Sequence, residues 1–124
     1  MKYSGALMNN VKWNYLFEKA TEFDIYGEVA FVSEENHWYE RAFPVEVELI
    51  DKTGLKDPGI GGPCYYKNIY KARLRKWKEI RDPISGRRSL DEADSKEFVL
   101  SLKNNGQYPI SEDNDWIYIN GYHT

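Results

Sequence analysis

The amino-acid sequence predicts an α+β domain: a small, mainly antiparallel sheet of about four strands, with about three helices packed on it. Three observations carry this. The chain has 124 residues, the size of one domain spanning 1–124. Aromatic residues make up 15% of it, so there are enough large side chains to offset the entropy of an ordered chain. The hydrophobic patterns read, in order, helix, three strands, two helices, strand.

The first seven residues read as a flexible tail, with too little apolar character for a secretory signal. Asn9 and Asn10 offer N-caps for the helix "VKWNYLFEKATEF". Val11, Leu16, Ala20 and Phe23, with Trp13 and Phe17 nearby, give it a wide apolar face. Asp24 and Gly27 mark its exit. "EVAFVS" (28–33) is rich in strand formers, "EENH" (34–37) reads as a turn, and "WYERAF" (38–43) returns as the second arm of a hairpin. "PVEVELI" (44–50) alternates: Val45, Val47 and Leu49 point one way, Glu46 and Glu48 the other. That pattern predicts a half-buried strand, placed at an edge by Pro44. Residues 51–63, "DKTGLKDPGIGGP", read as a loop.

Residues 64–81 fit two templates. Tyr66, Ile69, Tyr70, Leu74, Trp77 and Ile80 recur at helical spacing, and Pro63 suits a first turn. Tyr70, Ala72 and Leu74 also alternate as in a strand. The helical period lasts more than four turns, so a helix is expected. "RDPISGRR" (81–88) is a turn. Ser89 and Glu92 form a capping-box signature for a helix carrying Leu90, Ala93, Phe98, Val99 and Leu102, with "NNG" (104–106) as its stop. "QYPISEDND" reads as a loop and "WIYIN" (116–120) as the last strand.

No apolar run approaches the ~20 residues of a membrane helix. A single cysteine, Cys64, suits a reducing compartment, so a cytoplasmic location and no membrane association are expected. The glycines of "GIGGP" precede an expected helix, as in phosphate cradles. Their spacing matches neither a P-loop nor a dinucleotide fingerprint, and the bland reading is a loop needing positive φ. Cys64 could act as a nucleophile only with a histidine base, and the two histidines are His37 and His123. No histidine or cysteine spacing suggests a metal, so no metal and no cofactor are expected.

Charge is the strongest remaining signal. Residues 67–88 carry nine basic and two acidic side chains, a net of +7, in a chain whose formal charge is −3. Acids crowd residues 18–51, interleaved with Tyr26, Trp38 and Tyr39. Aromatic and charged side chains together favour protein recognition over catalysis. The expected function is therefore a small protein-binding inhibitor of the toxin-neutralising, immunity kind. Its partner-binding face is expected at Glu34, Glu35, Trp38, Tyr39, Glu40, Glu46 and Glu48, opposed to a basic partner such as a nuclease-type toxin. The alternative is nucleic-acid binding through Arg73, Arg75, Lys76, Lys78, Arg87 and Arg88. The second alternative is an enzyme with Cys64 as nucleophile.

Overall fold

The structure, a computed structural model, describes residues 5–59, 61–81, 83–86, 88–92 and 95–122, with backbone alone at 47, 78–81 and 88–92. It is a single α+β unit in which five antiparallel strands and two helices enclose one core.

Helix α1 (Asn10–Glu22) starts where the sequence expects it. Asn9 has extended backbone, and its side-chain oxygen accepts the Lys12 N–H at 2.8 Å. The helix buries Trp13, Leu16, Phe17 and Ala20, the i, i+3, i+4, i+7 stripe of an amphipathic helix. Asp24, at φ 54, turns the chain out of it.

Strands β1 (Gly27–Phe31) and β2 (Glu34–Phe43) form the expected hairpin, but its turn is Val32–Ser33. The predicted turn at 34–37 lies inside β2. Tyr39, opposite Val29, packs on Phe31 at 5.2 Å between ring centroids and donates to Glu34 at 2.9 Å, which holds the polar stretch in the ladder. Two register shifts, with Arg41 at φ 55, bend this edge strand.

The alternating segment 44–50 does not form a strand. Thr21 Oγ1 donates to the Val45 carbonyl (2.6 Å) and accepts the Val45 N–H (3.3 Å), so a side chain of α1 takes the groups a ladder would need. Pro44 supplies no donor, and Val47–Leu49 form a single 3-10 turn instead. In the following loop, β3 (Gly54–Leu55) pairs with β4 (Cys64–Tyr65) as a short ribbon.

The helix expected over 64–81 is replaced by extended chain: β4, a 3-10 turn at Tyr66–Asn68, β5 (Ile69–Arg75) and β6 (Trp77–Arg81). The competing period-2 pattern prevails because β5 is a central strand. It pairs with β1 on one side and with β9 (Trp116–Asn120) on the other, which satisfies its backbone along both edges. The capping-box helix is also displaced. Ser89 and Glu92 belong to β7 (Arg88–Glu92), which pairs antiparallel with β6 across the predicted turn. Helix α2 (Ser95–Asn105) begins later: of the predicted stripe, Phe98 and Leu102 are buried and Val99 half-buried, Leu90 belongs to β7, and Ala93 lies outside the described residues. Strand β8 (Ile110–Glu112) takes up part of the expected loop, and β9 coincides with the predicted last strand.

The main sheet has the order β2-β1-β5-β9-β8, with every neighbouring pair antiparallel. Val29, Ala72, Leu74, Ile117 and Ile119 meet α1 and α2 on one face. The Phe17 ring stacks on Trp13 (5.8 Å) and Tyr66 (5.7 Å) and meets the edge of Phe43 (5.5 Å), so α1 is keyed to the sheet by aromatic packing. Ala6 bridges Tyr122 beside β9. Among the described residues, no helix is long and apolar enough to cross a membrane.

Candidate functional site

Alternation along β5 sends Ala72 and Leu74 into the core and Lys71, Arg73 and Arg75 to the opposite face. Alternation along β9 does the same with Ile117 and Ile119 against Trp116 and Tyr118. The register sets Arg73 between Glu28 of β1 and Tyr118 of β9, and Arg75 opposite Trp116. Trp38 of β2 reaches the same side. Both helices lie on the other face of the sheet, so among the described residues no helix covers this one.

The outward side chains stack. The Arg73 guanidinium carbon lies 4.0 Å from the Trp38 ring centroid and 3.9 Å from that of Trp116, and Arg75 lies 4.6 Å from Trp116. These are close cation–π contacts. Glu28 Oε1 accepts from Arg73 Nη2 at 2.6 Å and Nε at 2.7 Å, and both side chains are less than one-fifth exposed. The Lys71 ammonium lies 5.2 Å from the Tyr70 ring and 5.8 Å from that of Tyr118. Among the described residues, neither Lys71 nor Arg75 makes an ion pair.

The turn between β8 and β9 holds one end of this face rigid. Asp113 Oδ1 accepts the N–H groups of Asp115 (2.9 Å) and Trp116 (2.7 Å), and Oδ2 accepts the Tyr118 hydroxyl (2.9 Å). The two backbone N–H groups, joined by that hydroxyl, hold the Asp113 carboxyl below its usual range. Partial burial first, and the bond to Asp113 second, push the Tyr118 hydroxyl up. Lys76 and Trp77 clamp the base of the β6–β7 hairpin to the same turn: Lys76 N–H to the Asp115 carbonyl, Lys76 Nζ to Asp113, and Trp77 Nε1–H to Asn114, each at 2.9 Å.

The expected partner-binding residues are not gathered in one place. Trp38 is on the open face. Tyr39 is on the helix side, packed on Phe31 and His37. Glu34 and Glu40 are exposed along β2 and Glu35 is half-buried, while Glu46 and Glu48 are exposed on the loop that Thr21 ties to α1. Of the nucleic-acid candidates, Arg73 and Arg75 are in the stack and Lys76 is at its border. Lys78 and Arg88 are described by backbone only, in β6 and β7, and Arg87 lies outside the described residues, as does His123. The sequence reading missed Lys71, Glu28, Trp116 and Tyr118 as site residues. The alternation of "WIYIN" was enough to place Trp116 and Tyr118 on a solvent face, had residues 69–75 been read as its partner strand.

The other candidate residues, the glycine-rich loop and Cys64, are each held by the fold. Asp57 Oδ1 accepts the N–H groups of Gly59 (2.9 Å) and Gly61 (3.2 Å), both residues at positive φ. The chain's own carboxylate thus sits where a cradled phosphate would bind. Cys64 is buried against Leu55 in the ribbon, and burial pushes its thiol up to about 12. A nucleophile needs the opposite shift. Among the described residues, no three His, Cys, Asp or Glu side chains gather as metal ligands would. The recess lined by Trp13, Tyr66, Lys67 and Tyr122 measures about 90 Å³, room for roughly three waters. No protein-family model matches the chain, and neither a curated protein nor a solved structure matches it significantly.

Proposed function

We propose that this protein acts by docking a protein partner on the open face of its sheet, and that this face carries no reaction. One observation supports the reading above others: the Trp38–Arg73–Trp116–Arg75 stack. Trp, Tyr and Arg are the side chains that dominate interface energetics. Here they are already held by one another and by Glu28, so little side-chain entropy is left to lose on binding.

Toxin neutralisation is the specific form of this role that the sequence suggests. A stoichiometric inhibitor blocks its target by covering it with a rigid surface, and the stack is such a surface. The polarity of the face favours an acidic partner surface over the basic cleft first expected. Glu28 already matches Arg73, whereas Lys71 and Arg75 make no ion pair among the described residues, and Glu46 and Glu48 lie on the loop tied to α1.

The test is affinity capture from lysate of the native cells with three baits: the wild type, Trp38→Ser/Arg75→Glu, and Glu46→Lys/Glu48→Lys. The expected result is one stoichiometric protein held by the wild type and by the Glu46/Glu48 variant, and lost by the Trp38/Arg75 variant. The reverse pattern would place docking on the acidic loop. Recovery of nucleic acid alone would transfer the face to the nucleic-acid reading.

A further inference from the structure

From the same face, and resting on the docking reading, we infer the chemistry of the partner: an extended protein segment with two carboxylates four residues apart and an apolar residue midway between them. Lys71, Arg73 and Arg75 stand at alternate positions of one strand, so successive cations are about 6.7 Å apart. The middle charge is already matched, because Glu28 holds Arg73 through two nitrogens. What remains is Lys71 at one end and Arg75 at the other, about 13 Å apart along β5. Between them lies the stacked Arg73, with Tyr118 opposite it on β9 and Trp116 opposite Arg75.

An extended chain repeats at the pitch of the strand beneath it. An acidic residue over Lys71 therefore brings residue i+2 over the stack and residue i+4 over Arg75. The i+2 side chain meets a guanidinium that is already paired with Glu28 and flanked by indole rings, so there is no charge left to match and an apolar group is favoured. On a helix, which rises 1.5 Å per residue, acids four residues apart lie only about 6 Å apart and could not reach both Lys71 and Arg75, so this spacing of acids belongs to an extended segment.

Single-stranded nucleic acid would match the spacing of the cations but not the state of the rings. Such strands bind by stacking bases on open aromatic faces as well as by phosphate contact. Here Arg73 lies over both Trp38 and Trp116, Arg75 also lies over Trp116, and Lys71 lies over Tyr118. A base would first have to displace a cation of the protein itself. Carboxylates need only the outward donors of Lys71 and Arg75.

The experiment uses the full chain and four probes, read by tryptophan fluorescence and calorimetry. They are a serine-flanked peptide Glu-Ser-Leu-Ser-Glu, its Gln-Ser-Leu-Ser-Gln analogue, the isomer Glu-Glu-Leu-Ser-Ser, and an oligothymidylate. The spaced-acid peptide should bind about tenfold tighter than the isomer and the analogue. Lys71→Glu and Arg75→Glu should each weaken it about tenfold, with Lys71→Gln and Arg75→Gln intermediate. Equal affinity for the two acidic peptides would overturn the inference. So would tighter binding of the oligothymidylate that the same variants abolish. If the captured partner depends on Trp38 and Arg75 but no peptide binds, docking on this face stands and the acidic-segment inference falls. If capture does not depend on the face, both fall.

Discussion

Replacing Arg73 by Met tests whether the stack is an energetic unit or a chance arrangement of surface side chains. Methionine keeps much of the aliphatic stem and removes the charge. Two cation–π contacts at 3.9 and 4.0 Å are lost, each worth about 0.5–1 kcal/mol at a partly exposed site. The Glu28 pair is lost as well. Its side chains are 19% and 16% exposed, so it is screened less than an open surface pair, and about 1 kcal/mol is a fair allowance. The sum is about 2–3 kcal/mol, a large part of the 5–15 kcal/mol typical of a domain. In a chain of this length that lowers Tm by roughly 8 °C. Glu28→Gln alone should cost about 1 kcal/mol, and the double variant should cost less than the two singles together. The assay is urea unfolding followed by tryptophan fluorescence for all four proteins of the cycle, with m-values compared. A coupling energy near 1 kcal/mol is expected. Independent sites add within about 0.3–0.5 kcal/mol, so coupling below that, or an Arg73→Met variant as stable as wild type, would refute the argument.

Other consequences can be measured directly. The Asp113 carboxyl is held below its usual range, so its contribution is complete above about pH 4 and lost as pH falls through the lower native value. Near-UV dichroism should therefore show the Trp116–Tyr118 region loosening in acid, and Asp113→Asn should remove that limb of the titration; an unchanged titration would contradict the turn's role. Cys64, with its thiol pushed up to about 12, should resist iodoacetamide at pH 7.5 in the native protein and react in urea, whereas fast native alkylation at pH 6 would revive a nucleophilic role. Gly121→Ala should destabilise by about 1–3 kcal/mol, because a Cβ there would lie 2.5 Å from the Ile69 carbonyl oxygen, which is backbone and cannot swing away. Gly62→Ala, with nothing within 4 Å, should be neutral in the same melt.

Elements with strong local signals were legible in the sequence. Helix α1 has an Asn cap and an unbroken apolar stripe, and β9 alternates without interruption, so both lie where their residues put them. Helix α2 kept its buried Phe98 and Leu102, but its start moved because β7 drew Ser89 and Glu92 into a pairing with β6. Segment 44–50 failed for the same kind of reason. Its alternation is real, but a hydroxyl from Thr21 took the Val45 backbone groups. For 44–50 the deciding partner, Thr21, is distant in sequence, whereas for the start of α2 it is the neighbouring β6, nine residues from Ser89, which was hidden because 64–81 fit a helical period as well as a strand.

The basic segment shows how such a misreading carries through to function. Read as a helix, residues 67–81 spread their cations over a broad solvated surface, and their charge needs no further account. Read as β5, they bring Lys71, Arg73 and Arg75 into one row on one face, and like charges about 6.7 Å apart repel unless their surroundings compensate. The strand order supplies that compensation. β1 contributes Glu28, β9 contributes Trp116 and Tyr118, and β2 sends Trp38 across to Arg73. None of these four residues is near the row in sequence, so the site could not be read without the topology. The compensation is also uneven. Arg73 has a carboxylate and two indoles, whereas Lys71 and Arg75 have only ring contacts, with no ion pair among the described residues. A row of three cations matched by a carboxylate only at its centre leaves a cation at each end for a partner carrying acid at the matching spacing.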